Sequence, residues 1–70
     1  MSSSEVIKLI RDSLRFTQTE LGKKMGVSKQ SVYKWERGLV MPSHDYIREL
    51  MAIAKANKIK VKLEDFYSEH

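Results

Sequence analysis

Residues 17–38 constrain this chain more than any other stretch. They hold two short helical patterns on either side of a tight turn, Gly26, Val27 and Ser28. Thr17 is a favourable N-cap, and Glu20 stands three residues on, so the two can satisfy each other's backbone N–H groups in a capping box. Leu21 and Met25 recur four apart and share a helix face. Gly26 stops the first pattern, because glycine takes the left-handed conformation of a helix exit without steric cost. Ser28 can cap a second helix, Val32 and Trp35 give that helix an apolar face, and Gly38 ends it as Gly26 ends the first. The predicted helices cover residues 17–25 and 28–37.

Two helices joined by a short Gly-containing turn form a helix-turn-helix unit. The residues that build it here are Thr17, Gln18, Glu20, Leu21, Gly26, Val27, Ser28, Val32, Trp35, Glu36 and Gly38, with Pro42 and Ser43 beyond. Together they resemble the Cro/C1-type helix-turn-helix of phage repressors. So many positions at matching spacing are far more specific than one short motif. The resemblance runs over residues 5–67 and weakens after Asn57. It implies an all-α fold, a compact five-helix lambda-repressor-like DNA-binding domain, and one such domain for residues 1–70. The small size and the lone module further resemble a temperate-phage Cro or modulator protein.

Composition narrows the classes. Seventy residues allow one small core, and a chain of this size buries only about 60% of its unfolded surface. There is no Cys, so disulfides and thiolate metal sites are excluded. His44 and His70 lie in a turn and at the terminus, which speaks against zinc. No apolar run approaches the roughly 20 residues that span a bilayer, and no signal-peptide core is visible. The expectation is a bacterial cytoplasmic protein with no membrane partner. The net charge is +4, and residues 15–37 carry six basic residues against two acidic ones; the remaining seven of each sign cancel. The positive excess therefore lies on the helix-turn-helix, as phosphate binding requires, although a solvated lysine-rich face would look the same.

Before the unit, Met1 to Ser4 are expected to fray. Ser4 is the predicted cap of a first helix over residues 4–14, without a capping box because Ile7 occupies the third position. Val6, Leu9 or Ile10, Ser13 and Leu14 mark its face. The resemblance implies that Arg11 pairs with Glu36. It also sets Gln18 against the DNA backbone, where a helix N-terminus offers N–H groups and a positive dipole end. Gly22 stands where Ala is common in the family; it permits close approach of the next helix but costs roughly 1 kcal/mol of helix propensity.

The second helix of the unit is the expected reader. With Val32 and Trp35 inward, Lys29, Gln30, Tyr33 and Lys34 project outward, where the motif enters the major groove. Gln pairs well with adenine and Lys with guanine O6 and N7. Tyr33 either meets sugar and a thymine methyl or shields the core edge. Lys23, Ser31 and Arg37 are backbone candidates, with Ser31 equally suited to helix initiation.

Leu39, Val40 and Met41 follow, where the family often carries polar residues. Three apolar residues in a loop either tuck under the next helix or form, with Tyr33, a protein-binding patch. Pro42 and Ser43 open a fourth helix over residues 43–56, with Ile47, Leu50, Met51 and Ala54 as its core stripe and Asn57 as its stop. Residues 58–63 alternate Lys with Ile, Val and Leu. The favoured reading is a connector that drops Val61 and Leu63 into the core; the other is an extended segment pairing with a partner chain. A last helical turn at residues 64–67 buries Phe66, and Ser68, Glu69 and His70 fray.

An enzyme is not expected. There is no phosphate-cradling glycine loop, nucleophile–base pair or metal-ligand cluster, and no cofactor is called for. Two functions remain: a transcriptional regulator that binds double-stranded operator DNA as a weak homodimer, or an antirepressor that binds a phage repressor protein and masks its DNA-reading surface.

Overall fold

The computed structural model describes residues 2–67. Among them are four α-helices, α1 (Ser3–Ser13), α2 (Gln18–Met25), α3 (Lys29–Glu36) and α4 (His44–Ala56). The expected fifth helix is instead a 3-10 turn, Leu63–Tyr67. Short terminal pieces commonly take 3-10 geometry, and this turn is closed by Asp65, whose Oδ2 accepts the Lys62 N–H at 2.9 Å. The fraying expected at Ser68, Glu69 and His70 lies outside the described residues.

The start of α1 also differs from expectation. Ser2, not Ser4, is the N-cap: its Oγ accepts the Glu5 N–H at 3.4 Å, and its own N–H donates to Glu5 Oε1 at 3.0 Å. Of three consecutive serines, only Ser2 has a Glu three residues on, so only it completes the reciprocal pair. Ser3 and Ser4 are therefore helical rather than frayed. The shifted start buries Val6, Ile7 and Ile10, and leaves Leu9 and Ser13 at the surface.

All four α-helices exit through the same geometry. A residue at positive φ follows each one: Arg15 (59°), Gly26 (72°), Gly38 (71°) and Lys58 (58°). In each case the next N–H bonds back across the last turn, Phe16 to Arg11 O, Val27 to Gly22 O, Leu39 to Lys34 O and Ile59 to Ala54 O, at 2.8–3.1 Å. This is the Schellman closure, which usually brings an apolar contact with it. Phe16, Val27 and Ile59 pack against the core. Leu39 does not; it is 66% exposed. Lys58 rather than the expected Asn57 makes the left-handed turn after α4, while Asn57 donates its Nδ2–H to Ile53 O at 2.8 Å.

The core joins α1 (Val6, Ile7, Ile10), α2 (Leu21, Met25), α3 (Val32, Trp35), α4 (Ile47, Leu50, Ile53, Ala54) and Phe66 of the 3-10 turn. Trp35 leans on Tyr46 with ring centroids 5.3 Å apart, which ties α3 to α4. Ile53 takes a core place, and Met51 is only half-buried. Val61 is half-buried too, but Leu63, expected inside, is 52% exposed. Once the chain turns at Lys62 into the 3-10 turn, the period of two no longer applies, and Phe66 fills the space instead.

Gly22 sets the approach of α3 to α2. A Cβ there would stand 2.7 Å from Val27 O, a backbone atom that cannot move without shifting the turn. Gly22→Ala is therefore expected to lower stability by about 1–2 kcal/mol in urea unfolding, although Ala is the better helix former. Lys58→Gly is expected to act oppositely and raise stability by up to about 1 kcal/mol, because it relieves a left-handed side-chain residue.

Candidate nucleic-acid interface

The exposed side of α3 is built by what its other side must do. Val32 and Trp35 are buried, so Lys29, Gln30, Tyr33 and Lys34 stand in solvent, and Arg37 follows just past the helix end. At 100° per residue, positions 29, 30, 33, 34 and 37 form one continuous stripe. The Arg37 guanidinium lies 5.9 Å from the centroid of the Tyr33 ring, a cation–π distance. This couple joins the aromatic residue to the cationic stripe.

Ser28 caps α3. Its Oγ accepts the Ser31 N–H at 3.1 Å and lies 3.2 Å from the Ser31 hydroxyl. Ser31 is half-buried, with its hydroxyl beside that of Ser28 at the start of the helix. Lys23 and Lys24 stand exposed in the last turn of α2, a favourable place for cations. The Gly26–Ser28 turn separates these lysines from Lys29, so both helices carry exposed cations next to the turn. Lys24 is exposed like Lys23; the sequence already placed the two together on the outer face of this helix, close to the Gly26 turn.

The other end of α3 is fixed by a polar junction. Arg11 Nε donates to Glu36 Oε2 at 2.6 Å and its Nη2 to Glu36 Oε1 at 3.0 Å, while Nη1 donates to Phe16 O at 2.9 Å. Gln18 Nε2 adds a bond to Glu36 Oε1 at 3.1 Å. The side chains of Arg11 and Glu36 are 16% and 6% exposed. Hydrogen bonding to Glu36 raises the Arg11 pKa above its usual value against the opposing effect of burial. The start of α2, the end of α3 and the last turn of α1 therefore meet at one carboxylate. The Gln18–Glu36 bond carried no sequence signal, since Gln18 and Glu36 come together only through the crossing of α2 and α3.

The start of α2 carries its capping box. Thr17 Oγ1 accepts the Glu20 N–H at 3.1 Å, and the Thr17 N–H donates to Glu20 Oε1 at 2.8 Å. The Thr17 backbone bond, helped by its hydroxyl, holds the Glu20 carboxyl below its ordinary range. A depressed carboxyl contributes stability above its unfolded value and loses it as pH falls through the folded one. Acid therefore loosens the α2 start.

Leu39, Val40 and Met41 are all exposed, at 66%, 48% and 44%; none tucks under α4. They adjoin the stripe through Arg37 and Gly38 and, with the half-exposed Tyr33, put apolar surface beside cationic surface. Among the described residues there is no group of His, Cys, Asp and Glu that could hold a metal ion, and no helix long and apolar enough to cross a membrane.

A family model described as helix-turn-helix matches residues 7–61. That range takes in most of α1, all of α2, α3 and α4, and the connector as far as Val61. No curated protein and no solved structure gives a significant match.

The junction at Glu36 makes a testable distinction. Arg11→Met leaves the Glu36 carboxylate buried without its ion pair and is expected to cost about 3 kcal/mol in urea unfolding. Adding Glu36→Met should recover most of that loss, because removing both charges removes the desolvation penalty with them. Equal losses in the single and double variants would show that packing, not charge, sets the cost.

Proposed function

The chain belongs to the Cro/C1-type helix-turn-helix family, a family of DNA-binding transcription regulators, and we propose that it is a sequence-specific repressor acting on a phage lysis/lysogeny-like switch. The observation that carries the proposal is the exposed stripe of α3, cationic and amide-bearing, on a helix held from beneath by Val32 and Trp35. In this reading Lys29, Gln30 and Lys34 contact base edges in the major groove, with Tyr33 against sugar or a thymine methyl. Lys23, Arg37, Ser31 and Gln18 hold the phosphate backbone. Gln18 suits that role because its amide nitrogen has two hydrogens; one goes to Glu36 and the other is left for a phosphate. Two copies on half-sites ~34 Å apart would occlude a promoter. The bacterial host cytoplasm, where the operator lies, is the proposed place of action.

Selection of bound duplexes from a random pool near physiological salt tests this. Enrichment of a repeated or palindromic half-site is the expected result; salt-sensitive binding without enrichment would overturn sequence reading. Gln30→Ala is expected to relax preference at one base pair. Lys23→Ala should weaken all duplexes alike and reduce the salt slope by about one.

A second reading is favoured by one observation: among the four helix exits, only that of α3 leaves its apolar residue, Leu39, in solvent. In that reading the chain is an antirepressor, akin to the lactococcal temperate-phage modulator of repression. Tyr33, Leu39, Val40 and Met41 would then cover the DNA-reading surface of a phage repressor protein. Leu39→Asp separates the two. It should spare duplex binding under the first reading and abolish complex formation with a repressor under the second.

A further inference from the structure

We infer that Tyr33 is a positioning residue: its ring holds the Arg37 guanidinium at the exit of α3 with every N–H free, so that Arg37 meets a DNA phosphate already oriented. This role rests on the DNA-binding reading above and sharpens it, since Tyr33 acts through Arg37 in place of its own contact with sugar or a thymine methyl. Tyr33 and Arg37 are four apart on the outward stripe, neighbours on a helical surface. Both are exposed, and the guanidinium carbon lies 5.9 Å from the ring centroid. The other anchors near an arginine at this place are already in use. The Glu36 carboxylate, next in sequence, accepts from Arg11 and Gln18. The closing carbonyls of the helix, at Tyr33, Lys34 and Trp35, accept the N–H groups of Arg37, Leu39 and Gly38. Among the described residues Arg37 stands in no ion pair.

A ring face restrains a guanidinium differently from a carboxylate. The attraction runs between the cation and the π-cloud, so it uses none of the five N–H donors and cancels none of the charge. A carboxylate in that place would fix the side chain but occupy the fork and neutralise it. Phosphate recognition needs the fork open. The end of a helix is also a poor place for an anion, because the dipole is negative there. A cation at that end must stand clear of the carbonyls to reach a phosphate. Holding the flexible Arg37 side chain against the ring reduces the rotamer freedom lost on contact. The gain carries no sequence information, because it ends on a phosphate and not on a base edge.

The test uses the full chain in two arms. Without DNA, NMR reads the ring current of Tyr33 at the Arg37 δ protons. Their resonances should move in Tyr33→Leu and stay near the wild-type positions in Tyr33→Phe. Leucine keeps helix propensity and apolar bulk at this exposed position, so the fold is retained. With DNA, fluorescence anisotropy follows binding to a short random-sequence duplex over a range of salt. Arg37→Gln should weaken binding and lower the salt slope by about one. Tyr33→Leu should weaken binding about threefold, and Tyr33→Phe should match wild type. In the Arg37→Gln chain, Tyr33→Leu should have no further effect. Duplex selection with Tyr33→Leu should return the wild-type half-site. An absent ring-current shift, an equal loss from Tyr33→Leu with and without Arg37, or a changed base preference would each overturn the proposal. A wild-type chain that shows the ring-current shift but binds no duplex would overturn the DNA-binding reading and this role with it; the DNA-free arm separates that case from failure of the Tyr33–Arg37 couple alone.

Discussion

The Glu36 carboxylate is the constraint on which the helix-turn-helix unit rests. Three N–H donors from two other helices converge on it, two from Arg11 and one from Gln18. Apolar packing of Val32 and Trp35 holds α3 onto the core but leaves it free to slide and rotate, since such contacts are non-directional. Hydrogen bonds to a carboxylate fix both. With the far end of α3 tied at Glu36 and its near end tied by the close approach of Gly22 to Val27 O, the helix has two fixed points. The outward stripe is then a rigid surface whose angle to the start of α2 is set by Gln18. Arg11 adds a third anchor through Phe16 O, so the loop entering α2 is held by the same guanidinium. A net gain in stability from such a junction is small, because burying both charges offsets their attraction; what it secures is geometry.

Most of this was legible in the chain because capping and periodicity are local. Thr17 with Glu20, Ser28, Gly26 and Gly38 marked α2 and α3 within a residue at each end, and Val32 and Trp35 marked the inward face. The α1 start was legible in the Ser2–Glu5 spacing, the one capping box that three consecutive serines allow, although Ser4 stands nearest the first apolar residue. Two things were not legible, each for a physical reason. The left-handed exits at Arg15 and Lys58 were hidden because neither residue favours that conformation; tertiary packing of Phe16 and Ile59 imposes it. Leu63 looked internal because strand-like alternation was carried one residue past the point where the backbone tightens. On the site itself, the exposed members of α3 followed from helical geometry, whereas the Gln18–Glu36 bond required the crossing of two helices.

The four exits also show where strain is tolerated. Both helices of the helix-turn-helix unit end on glycine, where φ near 70° is free of cost. The helices that flank the unit end on Arg15 and Lys58, where the same backbone costs roughly 1 kcal/mol each. In both flanking cases the next residue, Phe16 or Ile59, packs half-buried against the core, and that partial burial offsets the strain. At Val27 glycine and burial coincide, which makes the central turn the least strained and best anchored of the four. This distribution suits a unit whose two helices must keep a fixed relative position.

Leu39 then stands out as the exit where neither demand applies. Its backbone closes like the others, with its N–H on Lys34 O at 2.9 Å, yet the side chain stays in solvent with Val40 and Met41 behind it. Burying a side chain of this size is worth roughly 1.5–3 kcal/mol, a gain forgone in a chain whose small core has little stability to spare. Apolar side chains do not attract phosphate, so the loop adds nothing to the electrostatic part of duplex binding. It does lie directly after Arg37, which the Tyr33 ring holds at the end of the basic stripe. A protein seated on Leu39 would lie next in sequence to Arg37, which stands over the Tyr33 ring at the end of α3. Under the proposed reading of α3, a partner drawn to this loop would compete with DNA for the same surface. In that reading the apolar loop and the cationic stripe would be two demands on one surface, and occupancy of one would set the availability of the other.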